Sequence, residues 1–132
     1  MEIEYKENVI PSVEQIVALY DLAGLPRPTQ DLLRIKKIYD HANLIISAWH
    51  DQKLVGIARS ITDFAWSCYL ADLAVLPDYQ KQGIGNRLIQ ITKSKVGEET
   101  MILLLSVPTA MEYYPKVGFT KENRSFAIHR VR

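Results

Sequence analysis

The chain has few of the residues that form disulfides, metal centres or membrane spans. Cys68 is its only cysteine, which excludes an internal disulfide and any metal site with several thiolate ligands. His41, His50 and His129 lack the i, i+4 spacing of common metal sites, so no metal is expected. No run of 18 apolar residues occurs, and the first residues are too charged for a signal peptide. We therefore expect a cytoplasmic protein with no membrane partner.

Charge is nearly balanced, with a formal net charge of +1, but it is unevenly distributed. Residues 1–72 contain seven basic and ten acidic residues, a net charge of −3, whereas residues 73–132 contain nine and five, a net charge of +4. A basic half suits a polyanionic ligand and an acidic half tolerates a cationic amine; a chance imbalance is the alternative. No dense basic run with interleaved aromatic residues occurs, so no nucleic-acid partner is expected.

Length and composition predict one domain over residues 1–132, because 132 residues with 48% hydrophobic content can form one core but leave no room for a second. Apolar periodicity and turn residues predict the order β-α-α-β-β-β-α-β-α-β. The apolar run at 101–105 predicts a central strand buried on both faces, and residues 119–131 predict one or two closing strands. The expected fold class is α/β, a mixed sheet flanked by helices.

The most informative pattern is a glycine-rich segment directly after the apolar run at residues 70–76. A turn ends the predicted strand, and the apolar spacing after Gly83 and Gly85 predicts an amphipathic helix. Glycines let the backbone approach a ligand closely, and free amides at a helix N terminus bind anions. The segment therefore predicts a phosphate site, with Lys81 and Arg87 adding positive charge nearby.

Two common phosphate loops do not fit this spacing. A dinucleotide fingerprint needs glycine or alanine three positions beyond Gly85, where the chain has Leu88. A Walker loop needs lysine after its glycines, whereas Lys81 precedes them. The Gln-x-x-Gly-x-Gly pattern directly after Leu-Ala-Val-x-Pro resembles instead the acyl-CoA signature of the GNAT family of N-acetyltransferases. Residues 110–119, with Tyr-Tyr-Pro-Lys-x-Gly-Phe, resemble the later helix-to-strand signature of the same family.

This resemblance implies the GNAT acyl-CoA N-acyltransferase fold, acetyl-CoA as cosubstrate and direct transfer of an acetyl group to a primary amine in a ternary complex. Backbone groups of residues 73–75 would bind the acetyl and pantetheine arm, and amides of the following turn would bind the pyrophosphate. A plain left-handed turn before a helix is the alternative. The expected cofactor-binding residues are Leu73, Ala74, Val75, Gln80, Lys81, Gln82, Gly83, Ile84, Gly85 and Asn86.

The resemblance also implies two catalytic residues. Tyr114 would donate its phenolic proton to the CoA sulfur, since an ordinary pKa of about 10 keeps it protonated at neutral pH; a structural hydrogen bond in a half-buried helix is the alternative. Asp72 matches an acidic position of part of the family and would be a base or a water relay, unless it accepts hydrogen bonds at a strand kink. Many relatives have asparagine in place of Val107 and an acidic residue in place of Pro115.

The acceptor stays open at this point. A similarity to small GNAT proteins that include plastid and bacterial arylalkylamine-acetylating enzymes implies a small primary amine, and polyamines and aminoglycosides belong to the same class. Two alternatives are a protein lysine or N-terminal acetyltransferase and a non-catalytic acyl-CoA-binding module that regulates a partner. A homodimer through the C-terminal strands is also implied by the resemblance.

Overall fold

The computed structural model describes residues 2–132, which form a five-stranded mixed sheet with helices on both faces. The strands follow the order β1-β2-β3-β4-β5; the first four are antiparallel to their neighbours, and β5 is parallel to β4. The strands are β1 Glu4–Glu7, β2 Leu44–His50, β3 Lys53–Thr62, β4 Ser67–Val75 and β5 Met101–Leu103. The helices are α1 Val13–Ala23, α2 Leu32–Asp40, α3 Ile84–Val96 and α4 Tyr113–Lys116, with short 3-10 turns at Pro77–Tyr79 and Pro108–Ala110.

Several element ends follow from local signals in the sequence. Ser12 Oγ accepts a hydrogen bond from Gln15 N at 3.1 Å, and Gln15 Oε1 accepts one from Ser12 N at 3.0 Å, which is the capping box that begins α1. Gly24 ends that helix in the left-handed region, at φ +73°. Asp51, at φ +55°, lies in the two-residue turn that joins β2 and β3 in a β-hairpin.

Helices cover opposite faces of the sheet. A Cβ at Gly56 would lie 3.2 Å from Leu88 Cδ1, so this side of β3 faces α3. Three positions further, Arg59 points to the other face, where its Nη1 donates to the carbonyl of Ile38 in α2 at 3.2 Å. One cluster of buried apolar side chains joins these layers, and its burial drives folding. Its large members include Ile16, Leu19, Tyr20, Ile35, Tyr39, Ile57 and Leu88.

Two expectations for the C-terminal part are wrong. β5 is a three-residue edge strand and not a central one, and its first residue, Met101, is exposed. Residues 119–131 form no strand, and Phe126, Ile128 and Val131 are almost wholly exposed. Both departures have one cause, because a strand needs a neighbour for its backbone N–H and C=O groups and apolar content alone does not supply one.

Other features of the described residues concern Cys68, metals and membranes. Cys68 is buried in β4, where desolvation raises the pKa of its thiol. Within residues 2–132, no three His, Cys, Asp or Glu side chains come together as a metal site requires. None of the helices in this range has the length and apolar content to cross a membrane.

Candidate active site

A cleft of about 660 Å³ opens where β4 and β5 diverge. The two strands pair only between residues 67–69 and 101–103. Beyond this point, the second half of β4 and residues 104–107 line opposite walls, and the N terminus of α3, the short helix α4 and the end of α1 complete the enclosure. The parallel pairing thus positions the cleft along the free side of β4.

Part of the β4 backbone faces this cleft. The carbonyl of Val75 accepts a hydrogen bond from Gln80 Nε2 at 3.0 Å, and that of Ala71 accepts one from Arg27 Nη2 at 2.9 Å. Alternate residues of a strand present their peptide groups to the same side, so Leu73 presents its groups to the cleft as Val75 does. Within residues 2–132, β4 has no strand partner on this side beyond residue 69. An extended ligand can bind there as an added strand.

The glycine-rich turn brings a helix N terminus to one end of the cleft. Lys81 and Gly83 adopt left-handed conformations at φ +63° and +83°, and Gly83 begins α3 without a side-chain cap. Arg87 N donates to Gly83 O at 2.9 Å, so the amides of residues 84–86 precede the hydrogen-bond ladder of the helix. These amides and the positive end of the helix dipole form an anion site.

The cleft contains nine of the ten residues predicted to bind the cofactor. Gln82 is the exception, because its side chain turns back and donates to the carbonyl of Asp78 at 3.4 Å. Tyr114 also lines the cleft, whereas Asp72 does not. The nine are Leu73, Ala74, Val75, Gln80, Lys81, Gly83, Ile84, Gly85 and Asn86.

Gly85 and Tyr113 form a close contact across the cleft that sequence reasoning missed. A Cβ at Gly85 would lie 2.8 Å from the Tyr113 hydroxyl oxygen, so any side chain at this position would displace the tyrosine. Tyr113 lies in α4 and Gly85 in α3, and no local pattern in the sequence indicates that these helices meet. The Tyr113 hydroxyl can lie this close to the first turn of α3 only because position 85 has no side chain.

Tyr114 is the second tyrosine that lines the cleft. Its ring packs edge-on against Tyr113 and Phe119, with centroid distances of 5.3 and 5.6 Å. Burial, aided by the neighbouring Tyr113, raises the pKa of Tyr114 and outweighs the lowering effect of the Arg27 charge. Burial raises the pKa of Tyr113 as well. Both phenols are therefore protonated at neutral pH, as a proton donor must be.

Asp72 lies behind the cleft wall in a buried network. Its Oδ1 accepts from Arg27 Nε at 2.6 Å, and its Oδ2 accepts from Arg59 Nε at 2.6 Å and from the Tyr20 hydroxyl at 2.7 Å. Burial would raise the pKa of Asp72, but Arg59, Arg27 and Tyr20 outweigh burial and lower it. The Tyr20 hydroxyl also bonds that of Tyr39. Asp72 faces Arg59 where the β3–β4 register shifts.

Arg27 and Arg59 are the charged partners that sequence reasoning did not find. Arg59 lies within the apolar run of β3, and a charge in such a run indicates a buried partner, so a signal for it exists. Arg27 lies in the loop between α1 and α2, far from Asp72 in sequence, and no local pattern marks it. Arg27 lines the cleft and therefore connects the buried network of Asp72 to it.

The fold and the cleft are those of an acyltransferase domain. A family model described as an acetyltransferase (GNAT) domain matches residues 30–132. The uncharacterized N-acetyltransferase ycf52 of Pyropia yezoensis is 30% identical over an alignment that covers 92% of this chain and 75% of that protein. The chain therefore belongs to the GNAT family of N-acetyltransferases, as the sequence resemblance predicts.

Solved structures agree with this assignment. The GNAT-family acetyltransferase SP0256 from Streptococcus pneumoniae superposes with a TM-score of 0.79 at 25% identity, over 98% of this chain and 99% of that one. The aminoglycoside N-acetyltransferase AAC(6')-Iy, solved in complex with CoA, shares the fold with a TM-score of 0.72 at 16% identity, over 99% of this chain and 96% of that one. The expected α/β fold with a mixed sheet flanked by helices is confirmed.

Proposed function

We propose that this protein transfers the acetyl group of acetyl-CoA to a small primary amine by direct attack in a ternary complex. One observation carries the proposal: a single cleft combines free helix N-terminal amides, a free strand edge and two protonated tyrosines. The complex of AAC(6')-Iy with CoA supports acetyl-CoA as the ligand of this fold. The bound thioester supplies an acetyl group, whose carbon–nitrogen bond forms as its carbon–sulfur bond breaks.

In this proposal the two ends of the cleft have different tasks. The amides of residues 84–86 and the charge of Lys81 bind the pyrophosphate, because both are positive and open to the cleft. Backbone groups of Leu73 bind the pantetheine arm as a neighbouring strand would, with Ala74 and Val75 completing that wall. The turn fits this role because position 85 places no side chain of its own over the first helical turn, where the Tyr113 hydroxyl lies close by.

Tyr114 is the proposed proton donor to the departing sulfur. Its phenol lies in the cleft and stays protonated because burial raises its pKa. Tyr113 covers Gly85 at the cofactor end, so we assign it to packing around the pantetheine arm. Val107 and Pro115 differ from the asparagine and the acidic residue that many relatives have at these positions. Tyr114 of α4 nevertheless lines the cleft.

Asp72 is proposed to act through Arg27. A primary amine with a pKa of about 10.4 is almost wholly protonated at neutral pH and must lose a proton before attack. Both Asp72 oxygens already accept charge-assisted hydrogen bonds and its pKa is lowered, which makes the carboxylate a weak proton acceptor. We therefore assign to water in the cleft both protons that the nitrogen loses, one from the ammonium group before attack and one as the amide forms, and the second of these restores the proton that Tyr114 gives to the sulfur. We assign Asp72 the task of holding Arg27 at the cleft wall.

Thiol release from acetyl-CoA tests the proposed function. Purified protein is assayed with arylalkylamines, polyamines, aminoglycosides, amino acids and lysine peptides, using wild type, Tyr114→Phe and the control Tyr69→Phe, a tyrosine outside the cleft. We expect turnover with small amines that Tyr114→Phe loses and Tyr69→Phe keeps, while acetyl-CoA raises the melting temperature of all three. Acetyl-CoA binding without turnover on any amine would favour the non-catalytic acyl-CoA-binding module instead.

We further propose that two copies associate through their C-terminal segments. Within residues 2–132 no strand pairs with the outer edge of β5, and beside this edge lies a groove of about 700 Å³ lined in part by Leu103, Leu105 and Phe119. Residues 125–129 alternate polar or small side chains with apolar ones, and Phe126 and Ile128 are almost wholly exposed. Each copy therefore offers both a free edge and a strand-like segment, which favours reciprocal β-strand addition.

A further inference from the structure

Arg27 faces the cleft at the end away from the glycine-rich turn. Its side chain is 25% exposed, and its Nη2 donates to the Ala71 carbonyl. At the other end, Gln80 of the turn donates to the Val75 carbonyl. Ala71 and Val75 are separated by about 13 Å along an extended strand. Arg27 therefore lies outside the proposed pyrophosphate site, at the end of the cleft that the proposed cofactor arrangement leaves to the acceptor.

Three hydrogen bonds hold the Arg27 guanidinium in place. Nε donates to Asp72 Oδ1 at 2.6 Å, Nη1 to the Pro26 carbonyl at 2.7 Å and Nη2 to the Ala71 carbonyl at 2.9 Å. A guanidinium has five N–H donors, so about two remain for a ligand. Because the group is already fixed, it loses little conformational entropy on binding a carboxylate, whose two oxygens match its geometry.

The charge around Arg27 is positive even after its internal partner is counted. Asp72 is shared between Arg27 and Arg59, so these three side chains carry a net charge of +1. Tyr20 adds no charge, because burial raises its pKa. Among residues 2–132, the charged side chains that line the cleft are Arg27 and Lys81, both cations. The acceptor end is thus electrostatically matched to an anion.

We propose that the acceptor is a small amine that also carries a carboxylate, as an amino acid does, and that Arg27 binds this carboxylate. The inference rests on the proposed function and narrows its acceptor class. Binding the carboxylate would hold the amine within the cleft that Arg27 shares with Tyr114 and so reduce the entropy cost of attack. A second positive charge on the acceptor, as in a polyamine or an aminoglycoside, would be repelled by the network.

Matched acceptor pairs test this inference in the wild-type protein. Each pair differs by one carboxylate: tryptophan and tryptamine, tyrosine and tyramine, lysine and cadaverine. We measure kcat/KM from thiol release and identify the acetylated product by mass spectrometry. We expect the carboxylate-bearing member to be favoured by about tenfold or more, the effect of one charge-assisted hydrogen bond. Equal use of both members, or a preference for the decarboxylated amine, would overturn the inference while leaving the proposed function standing.

The two amines of a pair differ in intrinsic reactivity, but this difference cancels when wild type and Arg27→Gln are compared on the same pair. The variant Arg27→Gln therefore isolates the effect of binding by Arg27. We expect the preference ratio to fall about tenfold in Arg27→Gln. It should stay unchanged in Lys37→Gln, which removes an exposed charge on α2 outside the cleft. Equal slowing of both members by Arg27→Gln would assign Arg27 to the thioester or the fold and overturn the inference. Turnover with none of the six amines would defeat the proposed function and this inference with it.

Discussion

Gly85 shows how a single residue sets the cofactor end of the cleft. Alanine is favoured over glycine inside a helix by about 1 kcal/mol, which offsets the cost of displacing the Tyr113 hydroxyl, so Gly85→Ala should change the free energy of unfolding little. Its Cβ, however, would lie 2.8 Å from the Tyr113 hydroxyl oxygen and would fill the space above the first turn of α3. We expect the Kd for acetyl-CoA to rise about tenfold, because the added methyl group would crowd the bound pyrophosphate at a cost of about 1 to 2 kcal/mol in binding free energy. Calorimetric titration and urea unfolding measure the two quantities.

A double variant identifies the cause of that loss. With Tyr113→Phe added, the hydroxyl is gone and the nearest remaining ring atom, Cζ, lies 3.7 Å from the new Cβ, an ordinary contact. Because the methyl group still occupies the ligand side of the turn, we expect the affinity loss to persist in the double variant. Restored affinity would instead show that displacement of Tyr113 causes it. Unchanged affinity in Gly85→Ala itself would contradict the assignment of the pyrophosphate to this turn.

Tyr114 carries a prediction about pH. A proton donor loses activity once pH exceeds its pKa, and burial raises the pKa of Tyr114 above its ordinary value near 10. We therefore expect the wild-type kcat to show no decline on the alkaline side below about pH 10. Tyr114→Phe should lower kcat about a hundredfold at neutral pH with little change in acetyl-CoA affinity. A decline of the wild-type kcat between pH 7 and 9 would point to a different donor.

Elements that depend on neighbouring residues can be predicted from this sequence. The capping box of Ser12 and Gln15 begins α1, and the glycines at 83 and 85 mark the open N terminus of α3. Nine of the ten predicted cofactor residues line the cleft for the same reason, since they follow one another along the chain. These parts of the fold and of the site are encoded within short windows of sequence.

Features that join distant segments could not be predicted in this way. Asp72 meets Arg27 and Tyr20 only because the sheet brings β4 under α1 and the loop that follows it. The edge position of β5 likewise depends on which strand is beside it and not on its own apolar residues. A sequence pattern gives the capacity to pair, whereas the partner is decided by the whole fold.

The C-terminal segment tests the association proposed for two copies. Deleting residues 125–132 should convert a dimer to a monomer in analytical ultracentrifugation, because the strand that would cover the partner's β5 edge is lost. The double variant Phe126→Ser with Ile128→Ser should weaken the dimer similarly, since these apolar side chains would be buried in the groove. His129→Ser, in the same segment, serves as the control. A wild-type protein that stays monomeric at all concentrations would contradict the proposal.

At the scale of the molecule, one apolar core connects every layer. Buried side chains of α1, α2, the sheet and α3 form a single cluster, so we propose that the chain behaves as one domain. Urea unfolding at fixed protein concentration should then give one transition that coincides by fluorescence and circular dichroism. The deletion of residues 125–132 should change this transition little under conditions where the protein is monomeric, because Phe126, Ile128 and Val131 are exposed.

Acid should destabilise the whole molecule through its ionised carboxylates. Asp72 has a pKa below its ordinary value of 3.8, so its contribution to stability is complete above about pH 4 and is lost as pH falls through the lowered pKa. Asp63, bonded by three backbone amides, and Glu122, whose pKa is lowered to about 2 by Arg124, act in the same direction. We expect the free energy of unfolding to decline from about pH 4.5 downwards.

Asp72→Asn separates the buried network from the exposed carboxylates. The substitution leaves Arg59 buried without its counter-charge, which should cost about 3 to 5 kcal/mol at pH 7, whereas Asp63→Asn removes an exposed group and should cost less. As pH falls below about 4, protonation removes the same charge from the wild type, so the difference between wild type and Asp72→Asn should shrink. Urea unfolding at pH 7, 5, 4 and 3 measures this difference. A difference that stays constant to pH 3 would contradict the lowered pKa of Asp72, because the unfolded chain would then take up no more protons than the folded one. A difference that is small at pH 7 would show that the ion pairs with Arg27 and Arg59 contribute little to the fold.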